Sequence, residues 1–195
     1  MHPVRSCGLA ASDPDLVRRC LQGDNSGFDV LVHNYQQRVH AFCYRSLGDP
    51  DQAADATQEA FVKAYNALEG FRQGASFLTW LFRIASNTCV DMTRRAARRR
   101  ADSLDDLVAQ SNEPASAEPT PERVALRADT DRIVRQAIAS VPMNHRLPLV
   151  MYYFGDMSTR EIAAALTRPE ATVRSHLRCA REALRRKLEG VVIEA

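Results

Sequence analysis

Apolar residues recur through this 195-residue chain at the spacing of amphipathic α-helices. A stripe of this kind comprises Phe28, Leu31, Val32, Tyr35, Val39, Phe42 and Cys43. A second stripe comprises Ala53, Thr57, Ala60, Phe61, Ala64 and Leu68. A further helix is predicted from Phe77 to about Arg100, with apolar residues as far as Val90 followed by an arginine-rich end. No alternation of apolar and polar residues is long enough to indicate a β-strand, so the pattern predicts an all-α protein.

Capping signals divide these stripes into separate helices. Asp13-Pro14, Asp49-Pro50 and Thr120-Pro121 each resemble an N-cap followed by a proline in the first turn. Gly23 can adopt the left-handed conformation that ends a helix. The sequence therefore predicts a first helix from Asp13 to about Gly23.

The C-terminal part contains two capped helices separated by a short turn. Ser158-Thr159-Arg160-Glu161 has the spacing of a capping box. Thr167-Arg168-Pro169-Glu170 is expected to open the last helix in the same way, with Thr167 as its cap. Two capped helices this close together predict a helix-turn-helix, whose second helix usually enters the DNA major groove.

A segment rich in acids and prolines separates the two halves of the chain. Between Ala101 and Glu122 there are six acidic residues, three prolines and no basic residue. Such a segment is expected to be a flexible linker. The predicted organisation is a disordered leader (1–12), a helical module (13–100), a linker (101–120) and a second helical module (121–190).

Composition narrows the class of protein. The chain is 45% hydrophobic and 26% charged, with a formal net charge of +2, so any case for nucleic-acid binding must rest on how the charges are distributed. The five cysteines are dispersed, without a CxxC pair, which favours reduced thiols over redox or metal sensing. No apolar run reaches the length of a membrane span. We expect a soluble cytoplasmic protein without a cofactor or metal.

Positive charge is concentrated on one face of the last helix. Arg174, Arg178, Arg181 and Arg185 share that face, opposite an apolar stripe. A solvent-exposed basic face would show the same pattern. The preceding capped helix and short turn favour DNA binding, because arginines along a recognition helix neutralise phosphates and contact guanine edges.

A second cluster combines aromatic, amide and cationic side chains. Its members are Phe71, Phe77, Trp80, Phe82, Arg83 and Asn87, followed by an arginine run. Most such rings form protein cores. The same groups also bind unstacked bases, which require an aromatic surface and hydrogen-bond partners.

Three segments resemble region two of the extracytoplasmic-function sigma factors. They begin at Asp55 (DATQEAF), Phe77 (FLTWLFRIASN) and Asp91 (DMTRR). Ser158-Thr-Arg-Glu-Ile-Ala163 and Thr172-Val-Arg-Ser175 resemble region four of the same family. The resemblance implies a transcription initiation factor that brings core RNA polymerase to promoters. It also implies a stress response and control by an anti-sigma factor, with no small-molecule substrate and no catalytic residue.

The resemblance assigns residues to three surfaces. The polymerase-binding surface would comprise Asp55, Gln58, Glu59 and Val62. Contacts to the minus-10 element would come from Phe71, Trp80, Phe82, Arg83, Asn87, Arg94, Arg95 and Arg98. Contacts to the minus-35 element would come from Thr172, Arg174, Ser175, His176, Arg178 and Arg181. Phe71 and Asn87 would shape the pocket for a flipped base.

The chain departs from the family pattern in and after the helix-turn-helix turn. Thr167 and Ala171 replace usual glycines, and His176 and Cys179 replace usual arginines. These changes affect backbone approach and base preference at the minus-35 element.

Two other functions compete with the sigma factor. If the chain were a repressor or activator that acts without polymerase, the face around Asp55 would have no assigned function. An enzyme is disfavoured because the sequence shows no phosphate-binding loop, metal-ligand cluster or catalytic triad.

Overall fold

The computed structural model describes residues 12–71, 76–102 and 123–192. Their elements are α1 (Asp13–Leu21), α2 (Ser26–Leu47), α3 (Pro50–Asn66), a 3₁₀ turn (Leu68–Gly70), α4 (Phe77–Asp102), α5 (Arg123–Ser140), α6 (Met143–Phe154), α7 (Thr159–Leu166) and α8 (Glu170–Val192). No strand occurs among these described residues, so the all-α prediction is confirmed there. The predicted leader and most of the predicted linker lie outside the described residues, although α4 continues two residues into the linker's expected range.

Helix α2 is the centre of the N-terminal module, where it packs against α1, α3 and α4. Its residues Leu31, Val39 and Cys43 are fully buried. The facing side of α3 presents alanines, including Ala53 and Ala60, which are also fully buried. Because alanine has a short side chain, the two helices can approach closely while the longer side chains of α4 fill the third side of the core.

The predicted N-caps of α1 and α3 can be compared with the structure, and the first needs a correction, whereas the predicted cap at Thr120-Pro121 lies outside the described residues. Ser12, rather than Asp13, occupies the N-cap position of α1, and Asp13 is the first helical residue. The cap of α3 is as predicted, since the Asp49 carboxylate accepts a hydrogen bond of 2.8 Å from the backbone N–H of Gln52. Gly23 and Gly48 adopt positive φ angles of 94° and 81° just beyond α1 and at the end of α2, as left-handed residues do.

In the C-terminal module, α8 packs against α5, α6 and α7. Ser158 and Glu161 form the complete capping box of α7. The prediction for Thr167 is wrong: this residue is the C-cap of α7, with φ 52° and ψ 49°, and α8 begins three residues later. Thr167 therefore occupies the left-handed position for which glycine is better suited, because a β-branched side chain crowds the backbone there.

The two modules are packed against each other. Helix α2 contacts α5 and α6, and α4 contacts α7. The buried apolar residues of both modules form one contiguous cluster. The predicted DNA-binding parts of the two modules are consequently close together.

The described cysteines are free thiols. Cys43 and Cys89 are fully buried in the N-terminal core, where cysteine packs as a small apolar residue. Burial raises the pKa of the Cys20 thiol. None of the described helices is long and apolar enough to cross a membrane.

Candidate polymerase and promoter surfaces

The residues assigned to polymerase binding form a continuous outer face of α3. Asp55 and Gln58 are exposed, and Glu59 is half-buried. Val62 is 54% exposed, so this face also offers an apolar side chain to a partner. This face is free to meet another molecule without disturbing the core.

The same face borders an apolar groove between α2 and α3 of about 800 Å³. Gln58 and Val62 line it, and α2 contributes the opposite wall. The residues not assigned from the sequence are Phe28, Val32, Gln36, Gln37, His40, Ala54, Thr57, Phe61 and Tyr65. Sequence reasoning missed them because the groove arises only when two helices pack side by side. The available signal in the sequence was that Val62 and Tyr65 are apolar but lie outside the predicted buried stripe of α3.

Glu59 also belongs to a network of ion pairs. Its carboxylate lies 2.7 Å from the Lys63 ammonium and 3.7 Å from the Arg95 guanidinium. Asp91 lies 3.9 Å from the same Lys63 ammonium. The predicted polymerase surface on α3 therefore touches the predicted DNA surface on α4.

Most rings of the aromatic cluster are packed in the protein core, and their burial decides which of them could contact DNA. Phe71 packs against Phe77 and Trp80, with ring centroids 5.6 and 5.3 Å away, while Trp80 remains half-buried. Phe82 is 1% exposed and packs 4.9 Å from the ring of Phe42. A direct DNA contact of Phe82 does not fit this burial, so its assignment is corrected to a core residue. Phe71, 6% exposed, supports Trp80 from within.

The polar members of the minus-10 assignment are exposed on α4. Arg83, Asn87, Arg94 and Arg98 follow one another at spacings of four, seven and four residues, which places them on one face of the helix. Arg95 is also exposed but lies on the flank that meets Glu59. The helix therefore brings the amide of Asn87 into line with three guanidinium groups.

Helix α8 presents the minus-35 assignment along its first three turns. Ser175 and Arg178 are exposed, and Thr172 is half-buried. Arg174 is exposed and paired with Glu170 at 2.6 Å. Glu170 in turn accepts a hydrogen bond of 2.6 Å from the Thr159 hydroxyl, which joins the starts of α7 and α8. This bond helps to fix the angle between the two helices of the helix-turn-helix.

Two members of this assignment turn toward α6. The Arg181 Nε donates a 2.9 Å hydrogen bond to the Tyr153 hydroxyl. His176 is half-buried, with its ring centroid 4.8 Å from that of His145 and its Nδ1 atom buried without a hydrogen-bond partner. Burial, followed by the charges of His145 and Arg168, lowers the pKa of His176. His176, at a position where the resemblance implies an arginine, thus packs inward against α6.

Family models cover both modules of the chain. Residues 31–99 match Sigma-70 region 2, and residues 131–184 match Sigma-70 region 4. The first match contains the α3 face and the polar face of α4. The second contains the helix-turn-helix.

Similar proteins extend the match to nearly the whole chain. The RNA polymerase sigma-H factor of Pseudomonas aeruginosa is 37% identical over 189 residues, covering 94% of this chain and 97% of the relative. The ECF RNA polymerase sigma-E factor of Escherichia coli is 36% identical over 185 residues, covering 93% and 96%.

Two solved structures share the fold. The sigma factor RpoE from Bartonella quintana, solved with the anti-sigma factor NepR, gives a TM-score of 0.67 at 19% identity and covers 83% of this chain and 96% of its own. CnrH, solved with the cytosolic domain of CnrY, gives 0.67 at 24% identity and covers 91% and 97%.

The chain belongs to the extracytoplasmic-function sigma factors of the sigma-70 family. It is a DNA-binding transcription initiation factor, which binds core RNA polymerase and directs it to promoters, and it is not an enzyme.

Proposed function

We propose that the sigma activity is divided among three surfaces of this chain. The groove between α2 and α3, with the acidic face beside it, binds the coiled coil of the largest catalytic subunit of core polymerase. The polar face of α4 binds the minus-10 element, and the exposed start of α8 binds the minus-35 element. Region 2 extends over residues 13–100 and region 4 over 121–190, joined by the linker at 101–120.

The observation that carries the proposal is the groove with its acidic border. An apolar groove between two packed helices suits one face of a helical partner, and the neighbouring carboxylates select a partner with basic side chains. Asp55 and Glu59 lie on the side of α3 away from the core, so they contribute to binding more than to folding.

The face of α4 suits the chemistry of an opened promoter. Asn87 offers an amide that both donates and accepts hydrogen bonds at a base edge. Arg94 and Arg98 offer positive charge to phosphates whatever the sequence. Trp80, half-buried against the rings of Phe71 and Phe77, provides an aromatic surface on the same helix as Asn87 for an unstacked base.

Control by an anti-sigma factor in the cytoplasm, in response to stress, completes the proposal. A regulator that occupies the α2–α3 groove would exclude polymerase by direct competition. The resemblance to the family supports this partner. A pull-down from unstressed cells should recover a small regulator together with the factor, and recovery of polymerase alone would contradict it.

The polymerase surface is tested with the double variant Asp55→Lys/Glu59→Lys. We expect core polymerase to bind this variant at least about tenfold more weakly and to make fewer promoter-specific transcripts in vitro. The reason is that two negative charges are replaced by positive charges, which repel a basic partner. Binding is measured by fluorescence anisotropy, and circular dichroism checks that the helices are retained. The control variant Glu69→Lys/Glu182→Lys makes the same change of charge at other exposed positions. Equal core affinity of the two variants would remove the assignment.

A further inference from the structure

Two cysteines that are far apart in the sequence meet in the core of the N-terminal module. Cys43 belongs to α2 and Cys89 to α4, and these two helices pack directly against each other. Both side chains are fully buried. Their thiols form a side-chain hydrogen bond with each other. The two sulfur atoms are therefore neighbours without being covalently joined, since both cysteines are free thiols.

The two thiols of this pair differ in acidity. The hydrogen bond with the Cys89 thiol lowers the pKa of Cys43 against the effect of burial, and the Thr57 hydroxyl of α3 adds to the lowering. The same hydrogen bond, followed by burial, raises the pKa of Cys89. A thiolate in this pair therefore forms at Cys43 and is stabilised by the proton that stays on Cys89. This is the arrangement of a nucleophilic thiol beside a resolving thiol.

Cys20 provides a comparison within the same module. It is also buried, in α1, but desolvation and then the charge of Asp24 raise the pKa of its thiol. A thiol that resists deprotonation reacts slowly with oxidants. Cys20 and Cys43 thus differ in what surrounds the sulfur rather than in burial.

We propose that Cys43 and Cys89 are a redox modification site, at which a peroxide joins α2 to α4 through an intramolecular disulfide. The Cys43 thiolate attacks one oxygen of hydrogen peroxide, which breaks the O–O bond and leaves Cys43 as a sulfenic acid and the second oxygen as hydroxide. The Cys89 thiol then attacks the Cys43 sulfur and expels a second hydroxide. Each hydroxide takes up one of the two thiol protons. The two sulfurs lose two electrons in total, and the peroxide is reduced to two molecules of water.

The disulfide requires only a local rearrangement of the core. Its S–S bond is about 2.05 Å long, so the two sulfurs must come closer than in the hydrogen bond. Rotation about the Cα–Cβ bond of either cysteine moves the sulfur without moving the backbone. Because both sulfurs are fully buried, peroxide reaches them only when the core opens locally. The reaction is therefore slow, and the same burial protects the product from reduction.

The disulfide would stabilise region 2. It closes a loop from Cys43 to Cys89 that includes the whole of α3, and it thereby reduces the conformational entropy of the unfolded chain. It also ties α4 to α2 two residues after Asn87. The oxidised factor should therefore keep its minus-10 surface folded at temperatures that unfold the reduced form. Neither cysteine belongs to the surfaces assigned to polymerase or DNA, so the site is independent of the function proposed above.

The test treats the reduced full-length protein with hydrogen peroxide, blocks the remaining thiols with N-ethylmaleimide and maps the product by mass spectrometry. Tryptic digestion without a reductant should yield the peptides 39–45 and 84–94 joined by a disulfide. The melting temperature, followed by circular dichroism, should rise by about 5 °C or more on oxidation. It should return to its starting value once dithiothreitol has reduced the disulfide.

Two variants each remove one thiol of the pair and keep an apolar residue in the core, namely Cys43→Val and Cys89→Ala. Both should lack the linked peptides and melt at the same temperature with and without peroxide. Cys20→Ala is the matched control, since it removes another buried thiol, and it should keep the linked peptides and the shift. A pair that stays reduced in peroxide, or that is found linked to other cysteines instead, would overturn the site. Linked peptides without a higher melting temperature would overturn its stabilising role.

Discussion

Asn87 and the arginines on the same face of α4 differ in what they can read. An amide has a donor and an acceptor in fixed positions, whereas a guanidinium facing a phosphate carries no information about sequence. All four side chains of this face are exposed, so their replacement leaves the core of region 2 unchanged. Their removal should therefore have effects that differ in kind.

Asn87→Ala should lower open-complex formation and blur preference at one minus-10 base, with little change in the salt dependence of binding. Arg94→Ala/Arg98→Ala should weaken binding to all sequences and flatten the slope of log affinity against log salt by about 0.7 for each single-strand phosphate that is no longer neutralised. Both are measured with holoenzyme on a set of minus-10 variants at several salt concentrations. Normal open complexes of Asn87→Ala on every variant would exclude a base contact at this residue.

At the scale of single elements, Thr167 at the end of α7 has an unfavourable backbone conformation. Its left-handed φ and ψ are stabilised by hydrogen bonds from the N–H groups of Thr167 and Arg168 to the carbonyls of Ala164 and Ala163. Thr167→Gly should raise the free energy of unfolding by about 1 kcal/mol, because glycine adopts this conformation without steric cost. Chemical denaturation measures the change. Thr167→Ala retains a Cβ atom in the same conformation, and an equal gain from it would show that the backbone is not the cause.

Local sequence signals predicted helix ends well where the residues of one turn determine where the helix begins or ends. The capping box at Ser158 and the left-handed Gly23 depend only on neighbouring residues, and both are confirmed. Thr167 misled because its side chain can cap the next helix, whereas the hydrogen bonds that end α7 determine its position. The α2–α3 groove and the burial of Phe82 depend on residues distant in sequence, and periodicity cannot show which of several apolar faces becomes the core.

At the scale of the whole molecule, the surfaces for polymerase and for DNA meet at one ion-pair network. Glu59 on the polymerase face lies 3.7 Å from Arg95, which was assigned to DNA. While this pair persists, part of the charge of Arg95 is neutralised within the protein. Polymerase that engages Glu59 would release Arg95 to the promoter, so binding of one partner would favour binding of the other.

A single neutral substitution should therefore change the two affinities in opposite directions. Glu59→Gln should weaken core polymerase binding and strengthen binding of the free factor to DNA by about twofold at low salt, as expected for an exposed pair worth ~0.5 kcal/mol. The gain should vanish at high salt, where exposed charges are screened.

Asp55→Asn is the matched control, since it removes the same charge from the same face. No ion pair of Asp55 is found among the described residues. It should weaken core binding while raising DNA affinity less than Glu59→Gln does. Fluorescence anisotropy with core polymerase and with promoter DNA gives both affinities, and identical DNA affinities of the two variants would attribute the effect to net charge alone.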